Sequence, residues 1–156
     1  MICTGEETYK IRGEHAMLKM KEWSRHSDWN FKNKLLLIEA EYYNTQKDYD
    51  KAAQCYEAST KAAQEHKFYQ EEAIANELAG IFFLKRRNFL KSYSSLMRAM
   101  ECYEKWGAHA CARRIEDDMR SKYGSELLQF WSFDHPVTLP AVESEGYPSK
   151  KRQLSD

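Results

Sequence analysis

DYDKAAQCYEAS, running from Asp48 to Ser59, sets a carboxylate, a ring, a small residue, a second ring and a second small residue at steps of one, three, four and three. Steps of three and four return to one face of an α-helix, so Tyr49, Ala52, Tyr56 and Ser59 form a single stripe. Asp48, just ahead of that stripe, can accept hydrogen bonds from the free amides of the first turn. Small residues let two backbones approach closely, and rings fill the space between layers. Forty residues along, the pattern returns: Asp48 meets Asn88, Tyr49 meets Phe89, Lys51 meets Lys91, Ala52 meets Ser92, Tyr56 meets Leu96, Ser59 meets Ala99 and Ala62 meets Cys102. Upstream, Ala40 meets Gly80 and Tyr43 meets Phe83. A repeat of this length marks helix pairs that stack because no pair can bury its apolar side alone.

The rest of the chain permits that architecture. Its three prolines are Pro136, Pro140 and Pro148, so the first 135 residues carry none of the strongest helix breaker. Six helices are predicted, over Tyr9 to Arg25, Phe31 to Gln46, Tyr49 to His66, Tyr69 to Arg86, Phe89 to Lys105 and Ala108 to Tyr123. Ser27 or Asp28, Asp48 and Asn88 are the expected N-caps, and Gly107 can take the left-handed conformation that closes a helix. Short gaps make successive helices antiparallel neighbours. The chain thus divides into a flexible N-terminus at residues 1–8, a helical-repeat domain at 9–131 and a disordered or loosely packed tail at 132–156. SELLQFWSF, Ser125 to Phe133, is apolar enough for a short turn that folds back onto the last helix.

With Tyr49, Ala52, Tyr56 and Ser59 in the second helix of a pair and Ala40 and Tyr43 in the first, the chain resembles the tetratricopeptide family. The resemblance implies an all-α, right-handed stack of antiparallel helix pairs, an α-solenoid of about six helices. Two departures stand beside it. The Trp and Leu usual in the first helix are replaced by Leu36 and Glu39, then by Asn76 and Ala79, and the period is 40 where about 34 is usual. HEAT-type repeats, whose period is near 40, are the structural alternative. Ala108 to Tyr123 lacks a following partner helix and reads as a terminal cap.

A narrower likeness runs through WSRHSDWNFKNKLLLIEAEY, DYDKAAQCYEAS, EEAIANELAGIFFL and AMECYEKWGAHACARRIEDD, about residues 12 to 120. These segments are similar to the helical-repeat region of large signalling proteins that join a protein-kinase-like domain, an AAA-type ATPase and sensor histidine kinase modules. That likeness implies an interaction segment, since none of those catalytic domains fits in 156 residues.

Composition narrows the function. Lys plus Arg balances Asp plus Glu at 24 each, which gives no global field for nucleic acid or an anionic membrane. No run approaches the ~20 apolar residues of a membrane span. Four cysteines without a CxxC pair, and an N-terminus without a secretory signal, point to a reducing, cytoplasmic setting. Neither GxxxxGK[ST] nor GxGxxG occurs, nor HExxH, nor Glu-x-x-His. His109 and Cys111 stand two apart, on different helix faces, so a shared metal is not expected. Cys55, Cys102 and Cys111 read as small packing residues. In the tail, Arg152 to Ser155 fits a basophilic kinase target, and Lys150 to Arg152 is too short a basic patch to argue nuclear import.

No enzyme and no cofactor is therefore expected; the expected partner is a protein or peptide. The tetratricopeptide register implies a groove lined by Lys34, Leu37, Glu41, Asn44 and Thr45 from one repeat and by Ile74, Glu77, Ile81, Leu84 and Lys85 from the next. Leu37, Glu41, Glu77 and Ile81 stand where carboxylate-clamping family members carry basic and amide groups, so that activity is not expected. The alternative function is a regulatory or remnant segment of a multidomain ATPase or kinase signalling assembly. A small helical enzyme with an unrecognised carboxylate or thiol site is the remaining reading. Met17, Leu18, Met20 and Trp23 spread around the first helix and mark it for self-association or docking.

Overall fold

The computed structural model describes residues 5–123 and Leu127. Its helices are α1 (Gly5–His26), α2 (Asp28–Thr45), α3 (Tyr49–Glu65), α4 (Tyr69–Lys85), α5 (Phe89–Trp106) and α6 (His109–Ser121). Each packs on the next as an antiparallel neighbour, with a narrower approach of α2 to α4. α1 starts at Gly5, so residues 5–8, expected to precede the first helix, form its opening turns. Residues 1–4 and the tail at 132–156 lie outside the described residues, as does all of Ser125 to Phe133 except Leu127. Leu127 is buried in the core beside Ile115 and Met119 of α6.

One device turns the chain four times. Lys47, Lys67, Arg87 and Gly107 have left-handed backbones, with φ of 62°, 57°, 58° and 85°. Their amides donate to carbonyls three residues back, on Asn44, Gln64, Leu84 and Glu104. The next amides, of Asp48, Phe68, Asn88 and Ala108, donate five residues back to Tyr43, Ala63, Phe83 and Tyr103. That pair of bonds is a Schellman closure. The residue that completes it is also the N-cap of the following helix. Asp48 and Asn88 then accept from the amides of Lys51 and Lys91, at 3.3 and 3.2 Å. Ser27 precedes α2, but its side chain makes no capping bond.

The 40-residue repeat is thus two reversals of 20, and only Gly107 takes its left-handed position without a Cβ penalty. Replacing Lys67 by glycine is expected to raise stability by about 0.5–1 kcal/mol, because that penalty is removed at an exposed site. A thermal melt that fails to move upward would contradict this account of the turn.

Burial follows the repeat register. Ala40 and Gly80, Ala52 and Ser92, Tyr56 and Leu96, Ser59 and Ala99, and Ala62 and Cys102 are buried in both members of each pair. Two clusters result. Ala40, Ala52 and Tyr56 meet Ala79, Phe82 and Phe83 of α4. Tyr93, Leu96, Ala99, Cys102 and Tyr103 meet Ala112, Ile115 and Met119 of α6. A core that continues from pair to pair is how a stack of helix pairs hides apolar surface. Burial, and secondarily Glu72, pushes the Cys102 thiol up to about 11, and burial also pushes Cys55 up. Both thiols are held protonated, in keeping with a packing role.

Candidate partner-binding face

α2 and α4 carry the ten residues that the repeat register assigns to a groove. Three of the four charged ones, Lys34, Glu41 and Glu77, have partners inside the fold. Lys34 Nζ lies 3.1 Å from Glu71 Oε1 and 5.5 Å from the Phe68 ring centroid, tying α2 to the start of α4. Glu77 accepts from Tyr103 Oη at 2.9 Å and pairs with Arg114 of α6 at 2.8 Å. Glu41 accepts from Tyr56 Oη at 2.5 Å. Each pair is therefore locked by a tyrosine of its second helix donating to a glutamate of its first. Two ion pairs, Lys34 with Glu71 and Glu77 with Arg114, then link successive first helices.

The uncharged residues divide differently. Leu37 packs against the α2–α4 core and Leu84 against the α4–α6 core, so both serve the fold. Thr45 Oγ1 donates to Tyr42 O of its own helix. Asn44 is half-buried and Lys85 exposed. Ile74 is 37% exposed, and Ile81, two turns further along α4, is partly exposed. These two isoleucines are the apolar component that the cores do not take up. Sequence reasoning missed the partners Glu71, Tyr103 and Arg114. The signal available for them was only charge and hydroxyl complementarity, with nothing to set the helix rotation.

Burial first, and the neighbouring carboxylate second, hold the phenols of Tyr56 and Tyr103 well above the usual tyrosine range. An acid whose folded pKa is raised contributes stability that is complete below its unfolded pKa and is lost as pH rises past it. For these phenols the loss begins near pH ~10, where the unfolded chain starts to ionise and the folded chain does not. Absorbance titration of phenolate is expected to show two tyrosines that ionise only as helicity collapses. Smooth ionisation of every tyrosine in a still helical chain would contradict the two part-buried hydrogen bonds.

On α1, Ile11, Leu18 and Trp23 are exposed while Met17 and Met20 are partly covered. Lys21 pairs with Glu39 at 2.9 Å and fixes α1 against α2. His109 faces Glu104 across the α5–α6 turn. Among the described residues no group of three or more side chains is arranged to hold a metal ion. No helix there is long and apolar enough to cross a membrane.

Comparison with known proteins finds a distant, partial likeness to a signalling histidine kinase. The chain is 30% identical over 98 residues, 63% of its length, to hybrid signal transduction histidine kinase G of Dictyostelium discoideum. The match spans 3% of that protein. No family model matches the chain, and no solved structure matches it.

Proposed function

We propose that the chain is a non-catalytic interaction module, a right-handed tetratricopeptide-like stack that binds a peptide or helix along α2 and α4. The observation that carries the proposal is the division on α4: Glu77 is consumed by Tyr103 and Arg114, while Ile74 is exposed and Ile81 partly so. A face on which Lys34, Glu41 and Glu77 are already paired offers apolar contact at little desolvation cost from those groups, which suits a ligand that inserts side chains. A cytoplasmic setting goes with this reading. It is tested by selecting peptides against the full chain and measuring their affinity for an Ile74→Ser, Ile81→Ser variant. A loss of about 1–3 kcal/mol in binding at unchanged melting temperature is expected. Unchanged affinity would place the ligand elsewhere.

A second reading, a docking or remnant segment of a kinase or ATPase signalling assembly, is favoured by the partial likeness to the hybrid histidine kinase. Exposed Ile11, Leu18 and Trp23 give α1 the character of a second contact, self-association included. Light scattering over a concentration series, comparing the chain with a Leu18→Glu, Trp23→Glu variant, tests that contact. A wild-type chain that stays monomeric would rule out self-association.

A further inference from the structure

At the end of the array where α4 and α6 finish, Leu84, Lys85, Arg87, Phe89, Lys122 and Tyr123 line an open depression of ≈ 240 Å³. Its floor is Leu84, Phe89 and Tyr123, all packed against the α4–α6 core. Its rim is cationic. Lys122 is held by Asp118 at 2.6 Å. Lys85 and Arg87 are exposed and have no carboxylate within ion-pairing distance among the described residues. The α4 carbonyls beneath them are already taken: Leu84 O accepts from the Arg87 amide, and Phe83 O from the Asn88 amide. The helix end therefore places few free acceptors against an incoming anion.

The repeat explains why the depression exists. Forty residues earlier the counterparts of Lys122 and Tyr123 are Phe82 and Phe83, which are 4% and 5% exposed. Tyr49, the counterpart of Phe89, packs on the cluster those two rings belong to. The counterparts of Lys85 and Arg87 are Thr45 and Lys47. Where the inner junction is filled by phenylalanine, the outer one ends in lysine and tyrosine. It is open, apolar at its base and positive at its rim.

The geometry points to a site for a peptide that presents an anionic group beside an apolar side chain. The carboxylate or phosphate lies on Lys85 and Arg87, with the guanidinium able to bind two oxygens at once, and the apolar side chain lies on Leu84, Phe89 and Tyr123. The volume is that of a side chain or two. A nucleic acid strand would need a basic track, and the chain, with 24 positive and 24 negative residues, has no excess charge to lay one. A free inorganic anion would leave the apolar floor unused. The inference rests on the interaction-module reading and names the chemistry of the partner at one end of it.

Fluorescence anisotropy on the full chain tests it, with a labelled peptide in which glutamates flank one leucine. Companion probes carry phosphoserine or glutamine in place of the glutamates, and a single-stranded oligonucleotide matches the charge. The glutamate or phosphoserine peptide is expected to bind, and whichever is tighter identifies the anion. The glutamine peptide, and a Lys85→Glu, Arg87→Glu variant, are expected to lose about tenfold or more in affinity, with the loss shrinking as salt is raised. Arg25→Glu with Lys67→Glu, at the other end of the helices, is the control expected to bind as wild type. Binding that survives the Lys85, Arg87 reversal overturns the site, and so does an oligonucleotide that binds as well as the peptide. Peptide affinity that depends on Ile74 and Ile81 but ignores that reversal would leave the module standing without this site. Failure of both anionic peptides to bind overturns the site and leaves the module to be judged by the selected peptides and the Ile74→Ser, Ile81→Ser variant.

Discussion

Gly80→Leu is expected to lower stability by about 3 kcal/mol, the upper part of the overpacking range, and the melting temperature by roughly 6–12 °C. A Cβ on Gly80 would stand 2.7 Å from Leu96 Cγ and 2.8 Å from Cδ2, and 3.3 Å from the Leu96 amide nitrogen. Leu96 is fully buried and cannot swing aside. Moving α5 away instead would stretch the hydrogen bond from Ser92 Oγ to Gly80 O, now 2.8 Å. Leucine brings three more carbons into the same gap. Gly13 on α1 has nothing within 4 Å of its Cβ direction, so Gly13→Leu serves as the control, expected to be neutral or slightly stabilising. Equal melts for the two variants would contradict the close α4–α5 approach.

Arg98→Met is expected to cost a similar amount, about 3 kcal/mol. Glu72, 2% exposed on α4, receives Nε and Nη2 of Arg98 on one carboxylate oxygen, each at 2.7 Å. Removing the guanidinium leaves a buried carboxylate without its counter-charge, which is far more costly than the pair's own net contribution. The partial exposure of Arg98 lets some water reach the site and keeps the figure at the low end of that range. Adding Glu72→Gln to Arg98→Met is expected to recover most of the loss, because a neutral amide is less costly to bury than an unpaired ion. Additive losses in chemical denaturation, with no recovery in the double variant, would show that the two side chains do not act as a pair.

Much of this fold was legible in the sequence because it depends on spacing. Ala40, Ala52, Ser59, Gly80, Ser92 and Ala99 reveal close helix approaches by size alone, and Asp48 and Asn88 reveal caps by chemistry. The turns at Lys47, Lys67 and Arg87 were not legible, since those residues bear no mark of a left-handed backbone and glycine stands only in the fourth turn. The site was legible only in outline. Periodicity places Leu37, Glu41, Glu77 and Leu84 on one side of their helices. It cannot say that a partner helix lies within reach there, and so it does not reveal that Tyr56, Tyr103, Arg114 and the two cores engage these groups. Long side chains reach across about a helix diameter, and which of them meet is decided by helix rotation.

The measurement that bears most directly on the proposed interaction face is isoleucine-methyl NMR of the full chain, titrated with a peptide selected to bind it. Ile74 and Ile81 sit on the candidate face, Ile115 lies in the core and Ile11 is exposed on α1. Saturable shifts are expected at Ile74 and Ile81, with Ile115 and Ile11 unmoved. Shifts confined to Ile11, or a bound peptide that moves neither Ile74 nor Ile81, would contradict it.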